Sequence, residues 1–314
     1  MPGDGSSEIR GKTLTSVDRT GLGGHTKEHN HSLGRVTVLM TSFNRRRKTL
    51  ACLRSVFGTE APAALHVILV DDSSSDGTAG AVLEAFPDVT LVEGTGALYW
   101  AGGMRLAFER AWEQPFDYLL WLNDDVVLSA DAVENLIRTE RELRSVRGPC
   151  IVVGALQDPA TGATTYSGVA RCGLRRTEFR QIPPGEGPRR AETMNGNVVL
   201  VPRDVAQCLG TFDRAYRHGI ADYDYGLRGA AAGIETWIAP RFVGTCSRHG
   251  PRATAPSNEK LWTIMSPKRL PPWGWLVFTR RHTGRMWPVY WLSPYVRAVL
   301  RSLLRRRTFD AHHA

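Results

Sequence analysis

The 314-residue chain is poor in cysteine, with five (Cys52, Cys150, Cys172, Cys208 and Cys246), and none of them forms a CxxC pair. An odd, scattered set argues against a disulfide framework and against a zinc site, and for reduced, mostly buried thiols. No apolar run approaches the roughly 20 residues that cross a bilayer. The N-terminus also lacks the apolar core of a signal peptide, so the expected location is the cytoplasm. No GxxxxGK[ST] occurs, which excludes a P-loop nucleotide hydrolase. No GxGxxG follows the first β-branched run, and Gly21–Gly24 precedes that run, so a nicotinamide-binding turn is missing where it would be needed. Acidic residues are missing near the C-terminus: Lys268–Arg307 holds ten Lys or Arg and no Asp or Glu, within a net charge of +9. Nucleic acid, an acidic membrane surface or a phosphorylated substrate would each suit such a stretch.

What remains is the composition of an ordinary globular protein, 42% hydrophobic and 23% charged, long enough for one large core or two modest ones. Residues 1–34 are polar, rich in Gly, Ser, Thr and His, and read as a disordered leader. Order is expected from Arg35, in a β-branched strand, followed by a helix carrying Leu50, Leu53, Val56 and Phe57. A second strand from Leu65 ends at Asp71-Asp72. A helix near Ala79–Phe86 and a third strand at Val89–Val92 follow. This alternation predicts a parallel, doubly wound α/β sheet. Ser129 is the expected N-cap of a helix reaching Ser145. Further strands are expected at Cys150–Ala155, Asn197–Val201 and Thr236–Ile238, with a helix over Tyr223–Ala232. Residues 173–190, rich in Gly, Pro and Arg, read as a mobile surface loop.

Tyr118-Leu-Leu-Trp-Leu-Asn-Asp-Asp-Val126 is the most informative segment. A wholly apolar run that stops at consecutive carboxylates reads as a buried parallel strand delivering acids to its C-terminal end, the edge where open α/β sheets bind ligands. Asp124 and Asp125 repel unless a cation lies beside them, and hard divalent ions take such oxygen ligands. A solvated Asn-Asp turn is the plain alternative. Asp71 and Asp72 end a neighbouring strand, and their carboxylates suit a nucleoside's N–H or hydroxyl groups, or simply cap a turn. Gly102-Gly103 admits close backbone approach at an expected helix start, where N–H groups meet phosphate.

Taken in order, these segments resemble the inverting family 2 glycosyltransferases of the GT-A fold. The matching stretches are Thr41-Ser-Phe-Asn-Arg45, Val70-Asp-Asp-Ser-Ser-Ser-Asp-Gly-Thr78, Gly94 through Gly103, Asn123-Asp-Asp-Val126, Gly210-Thr-Phe-Asp213 and Ala221-Asp-Tyr-Asp-Tyr-Gly-Leu-Arg228. They lie within residues 35–250. Tyr99-Trp-Ala-Gly-Gly-Met104 looks most like rhamnosyltransferase-type enzymes of cell-surface polysaccharide. The resemblance implies a Rossmann-like, mostly parallel sheet flanked by helices. It divides into a nucleotide-sugar half (35–128) and an acceptor half (129–265), with a small helical, basic and aromatic extension (266–314).

The resemblance also implies roles. Asp125, with His249 from a later loop, would hold Mn²⁺ or Mg²⁺, and Asn123 and Asp124 would stand beside it. Thr41, Asn44, Arg45, Asp71 and Asp72 would bind the nucleoside diphosphate sugar, together with Trp100, Gly102 and Gly103. The acid usual before the base is Ala221 here, which leaves Asp222 and Asp224, and the resemblance maps the general base onto Asp222. Asn195, Gly196, Asn197 and Asp224 would face a glycan or lipid-linked acceptor, Asp224 alternatively capping the helix. A metal-dependent nucleotidyltransferase of similar fold is the enzymatic rival, but Phe43-Asn44 does not supply its Gly-rich basic loop. A nucleic-acid binder is disfavoured by carboxylates at the sheet edge, and a non-catalytic scaffold by the presence of Asp125, Asp222 and His249. Val289, Leu292, Val296, Leu300 and Leu303 fall near one helical face beside several Arg, as in a membrane-surface contact. A helix packed on the domain fits equally, and Pro288 and Pro294 are expected to limit its continuity.

Overall fold

The computed structural model describes residues 33–60, 64–173, 176–247 and 261–310, with 261–262 and 302–310 as backbone only. Contacts divide the chain into Met1–His31, outside the described residues, and Ser32–Ala314. The second unit is built on a mixed, mainly parallel sheet. Its first half runs β1 (Arg35–Ser42), α1 (Arg46–Phe57), β2 (Ala64–Asp71), α2 (Thr78–Ala85), β3 (Thr90–Glu93), α3 (Tyr99–Ala111) and β4 (Tyr118–Leu122). The second half runs α4 (Ala132–Arg147), β5 (Cys150–Gln157), β6 (Val198–Pro202), α5 (Arg203–Leu209), α6 (Ala221–Ala231) and β7 (Glu235–Thr245), then α7 (Pro272–His282) and α8 (Trp287–Asp310).

The strand order is β7-β5-β6-β4-β1-β2-β3, with Arg189–Ala191 added outside β7. β1, β2, β3 and β4 are mutually parallel where they pair. β6 enters antiparallel between β4 and β5. The apolar run of β4 follows from its central place. Leu120 and Leu122 point into one core, Leu119 and Trp121 into the other, and all four are fully buried. A strand covered on both faces has no polar side to alternate with. Because β1, β2 and β4 run in one direction, Thr41, Asp71 and the Asn123–Asp125 turn all emerge at the same sheet edge.

Several local expectations are corrected. Ser129 does not cap α4: Asp131 is the N-cap residue, and the Ser129 hydroxyl is spent on the Asp131 carboxylate at 3.0 Å. The expected loop at 173–190 contains paired strand. Phe179–Gln181 pairs with Gly168–Arg171, and Arg189–Ala191 forms the sheet margin. α8 continues through Pro294. The carbonyl a residue there would normally engage is that of Tyr290, which instead accepts from Trp275 Nε1 at 3.1 Å and Ser293 Oγ at 3.3 Å. With that carbonyl satisfied, the missing proline N–H costs little. The extension packs on the domain: Trp275 and Phe278 are buried in the core, with Trp291 and Tyr295 against it. Of the five thiols, Cys52, Cys150 and Cys246 are buried, and Cys208 is exposed.

Candidate active site

A cleft of about 580 Å³ opens at the C-terminal edge of β1 and β4. Of the residues singled out in the sequence, Thr41, Arg45, Asp72, Trp100, Asn123, Asp124, Asp125 and Asn197 line it together. Asp124 and Asp125 turn inward, and the Arg45 guanidinium lies between them, 2.6 Å from Asp124 Oδ1 and 3.2 Å from Asp125 Oδ2. Burial pushes Asp124 above its ordinary value, with Arg45 opposing the rise. Arg45 thus neutralises a carboxylate pair that would otherwise repel. Two buried thiols back the pair. Cys246 is pushed up to about 12 by burial and then by Asp125. Cys52 is raised by burial and donates to the Asn123 carbonyl at 3.4 Å.

Two adjacent carboxylates offer hard oxygen donors for a divalent ion. No group of three or more His, Cys, Asp or Glu converges among the described residues. The donor set therefore fits an ion that completes its shell from bound ligand and water, as diphosphate-bound Mg²⁺ and Mn²⁺ do. His249 lies outside the described residues.

Asp71 and Asp72 differ in placement. Asp71 accepts from Ser74 Oγ at 2.5 Å and Ser74 N at 3.2 Å, closing the turn after β2. Asp72 faces the cleft and accepts three backbone N–H groups, from Gly96 at 2.7 Å, Leu98 at 3.0 Å and Tyr99 at 3.2 Å. It thereby anchors the loop that carries Tyr99 and Trp100. Asn44 sits at a positive φ of 53°. Its Oδ1 accepts Ser75 N at 2.7 Å, tying the two loops together, and it is not among the cleft residues.

Gly102 and Gly103 are not at a helix start. α3 begins at Tyr99, and both glycines are buried within it. A Cβ on Gly103 would run into the Thr41 side chain. Gly103 is small because α3 presses on β1, whereas a Cβ on Gly102 would meet Leu98. Both lie inside the helix, so their N–H groups belong to it and are not aimed at phosphate.

Trp100 donates its indole N–H to Asn123 Oδ1 at 2.8 Å and packs edge-on against Phe212, centroids 5.2 Å apart. Gly196, in contact with the Trp100 ring, donates to Asp222 Oδ2 at 2.9 Å, and Tyr223 N donates to Oδ1 at 2.9 Å. The Asp222 carboxylate is met by backbone N–H groups and by no cationic side chain among the described residues. Burial raises Asp222 to about 6, the backbone N–H groups opposing. The residue before α6, Ile220, has φ 60°. A β-branched residue in this region is strained, and such strain gathers where a site must be held in one geometry.

Asp224 is corrected from an acceptor ligand to a buried hub. It is fully buried and accepts from Tyr216 Oη, Arg281, His282 and Arg228 at 3.0, 2.7, 2.8 and 3.0 Å. Fully buried and not among the cleft residues, it does not face a substrate, and the bonds fasten α7 to α6. Asn195 is likewise tied internally, to Tyr223 Oη at 3.3 Å and Gln181 Nε2 at 3.1 Å.

The cleft also contains Gly96 and Tyr99, which lie in matching stretches without an assigned role, and Tyr166, His218 and Lys268, which lie in no motif. Tyr99 has a positive φ of 57°, a strain signal invisible in sequence. A second cavity, of about 520 Å³, lies under α7 and α8 and is lined by Phe179, Tyr223, Trp275, Phe278, Tyr290 and Arg297 among others. Ile220 and Tyr223, which flank Ala221-Asp222, both belong to it.

Residues 37–157 match the family model described as Glycosyl transferase family 2. No curated protein matches the sequence. Among solved structures, the mannosyltransferase PcManGT from Pyrobaculum calidifontis, in complex with GDP-Man and Mn²⁺, matches with a TM-score of 0.50 and 20% identity, over 84% of this chain and 68% of that one. S. aureus TarS 1–349 in complex with UDP-GlcNAc gives 0.53 at 10% identity, over 78% and 65%. GalNAc-T7 with UDP, GalNAc and Mn²⁺ gives 0.56 at 12% identity, over 75% and 47%. The chain thus spans about two thirds or less of the structures it matches. The fold is GT-A, and the match to the family 2 model is confined to residues 37–157.

Proposed function

We propose that the chain is an inverting glycosyltransferase. It would move a sugar from a nucleoside diphosphate donor, dTDP-rhamnose or a UDP-sugar, to a hydroxyl acceptor in cell-surface polysaccharide or glycolipid synthesis. The observation that carries this reading is the setting of Asp222. It is a carboxylate without a cationic partner, raised to about 6, joined through Gly196 to the wall of the carboxylate-bearing cleft, and flanked by residues of a second cavity. A two-substrate transfer needs a base between donor and acceptor. Asp222 would take the acceptor hydroxyl proton as that oxygen attacks the anomeric carbon and the sugar–phosphate bond breaks. The nucleoside diphosphate leaves with the bonding electrons.

Asp124 and Asp125 would hold Mn²⁺ or Mg²⁺, which when bound offsets charge growing on the diphosphate. Mn²⁺ in complexes of two fold relatives supports manganese. The aromatic cavity under α7 and α8 would take the acceptor. Val289, Leu292, Val296, Val299 and Leu300 stay exposed on α8. Beside the basic residues of that segment, they support peripheral membrane contact near a lipid-linked acceptor. No helix among the described residues is long and apolar enough to cross a membrane.

Asp222→Asn tests the base directly. Transfer is expected to fall by about 10²–10⁴-fold with nucleotide binding retained. Wild-type turnover in this variant would remove Asp222 from the chemistry.

A further inference from the structure

The cleft holds three basic side chains, and only one of them is spent. Arg45 is committed to Asp124 and Asp125. Lys268 pairs with no carboxylate among the described residues, yet it lines the same cleft. His218 lines it too, and its Nδ1 is buried with no hydrogen-bond partner among the described residues. A buried polar atom left unpaired is destabilising, so each such atom calls for an explanation.

The imidazole is held in place by its surroundings. The Arg217 carbonyl accepts Ala101 N at 3.0 Å, and Arg217 Nη2 donates to the Ala97 carbonyl at 2.9 Å. The same guanidinium lies over the Tyr99 ring, 4.8 Å from its centroid. That ring meets the His218 ring edge-on at 6.4 Å. On the other side, Gly219 packs close to the Lys268 and Arg269 carbonyls. His218 is thereby fixed between the loop anchored by Asp72 and the start of the C-terminal extension.

We propose that His218 and Lys268 form an anion subsite that receives the phosphate groups of the donor, in the same cleft as the carboxylate pair. This rests on the glycosyltransfer reading. An anion is favoured over a metal because the charges nearest His218 are positive. Burial, then Lys268 and Arg45, all disfavour a further cation there. A phosphate oxygen complements all three groups and satisfies the orphaned nitrogen, whereas a divalent ion would be repelled. The subsite also gives the C-terminal extension a part in donor binding, since Lys268 precedes α7.

The test is calorimetric titration with uridine, UMP and UDP, and the dTDP and GDP series if those bind better. Each is run in EDTA and in Mn²⁺, on wild type, His218→Gln and Lys268→Met. Each substitution is expected to weaken diphosphate binding by about tenfold, the worth of one charge-assisted hydrogen bond. Nucleoside affinity should stay within twofold, with the same loss in EDTA. A merely structural role would weaken nucleoside and diphosphate alike, so an unchanged diphosphate-to-nucleoside ratio overturns the proposal. A loss seen only with Mn²⁺ would make His218 a metal ligand and also overturns it. If no nucleoside diphosphate binds wild type, the donor reading itself falls and takes this subsite with it. Intact diphosphate binding with unaltered variants sinks the subsite alone. The two substitutions lie on different segments, so misfolding of one leaves the other decisive.

Discussion

At the scale of single residues, the site is organised by what each carboxylate is bonded to. Asp224 has two guanidinium groups, an imidazole and a phenol. Asp125 and Asp124 share one guanidinium, and Asp222 has two backbone N–H groups. Only Asp222 is left with a raised value and no counter-charge, the profile of a proton acceptor working near neutrality. The rate term kcat/KM is expected to rise with pH through about 6 as Asp222 loses its proton. That limb should vanish in Asp222→Asn.

The same shift affects stability. The folded value lies above the unfolded one, so the folded state binds more protons between the two, and stability falls as pH rises through that window. Asp222→Asn is therefore expected to stabilise the protein at pH 8 by about 1 to 2 kcal/mol. This is less than the full linkage value because the side chain keeps some access to water. The gain should disappear near pH 4. Thermal melts at the two pH values check this, and equal gains at both would contradict the assignment.

At the scale of elements, close packing of α3 on β1 and docking of α7 on α6 set the site's geometry. Gly103→Ala forces a methyl into Thr41 and is expected to cost about 1 to 3 kcal/mol. Denaturant unfolding reads this, and a neutral result would show that α3 can move off the sheet. Asp224→Ala leaves Arg228, Arg281 and His282 without their shared carboxylate, and a loss of about 3 to 5 kcal/mol is expected.

These contacts explain what was legible in the sequence. The β1–β4 half reads well because buried parallel strands are apolar runs ending in polar turns, so Asp124 and Asp125 were placed correctly at the sheet edge. The role of Gly103 is not legible, because a glycine needed for helix–strand contact looks the same as one needed for phosphate. The burial of Asp224 is not legible either, because its partners Arg281 and His282 lie 57 and 58 positions away, and no local pattern records them. His218 and Lys268 went unflagged for the same reason. They meet only through tertiary packing, and neither belongs to a motif with fixed spacing.

At the scale of the whole molecule, the second unit presents a cleft on one sheet edge and exposed apolar side chains along α8. The net charge is +9, and the basic excess of the C-terminal segment favours anionic surfaces. Co-sedimentation is expected with vesicles containing anionic lipid and not with neutral ones, falling in high salt. Leu292→Asp with Val296→Asp should reduce it with nucleotide binding unchanged, since neither residue touches the cleft. Equal binding to both vesicle types would refute an electrostatic contribution.

The central claim is that the carboxylate-lined cleft is the donor site of a glycosyltransferase. Its most direct test is calorimetric titration of the wild type and Asp125→Ala with UDP, dTDP and GDP, with and without Mn²⁺. The account requires one nucleoside diphosphate to bind more tightly with Mn²⁺, and Asp125→Ala to remove that enhancement. Folded wild-type protein that binds none of the three under any condition would contradict it.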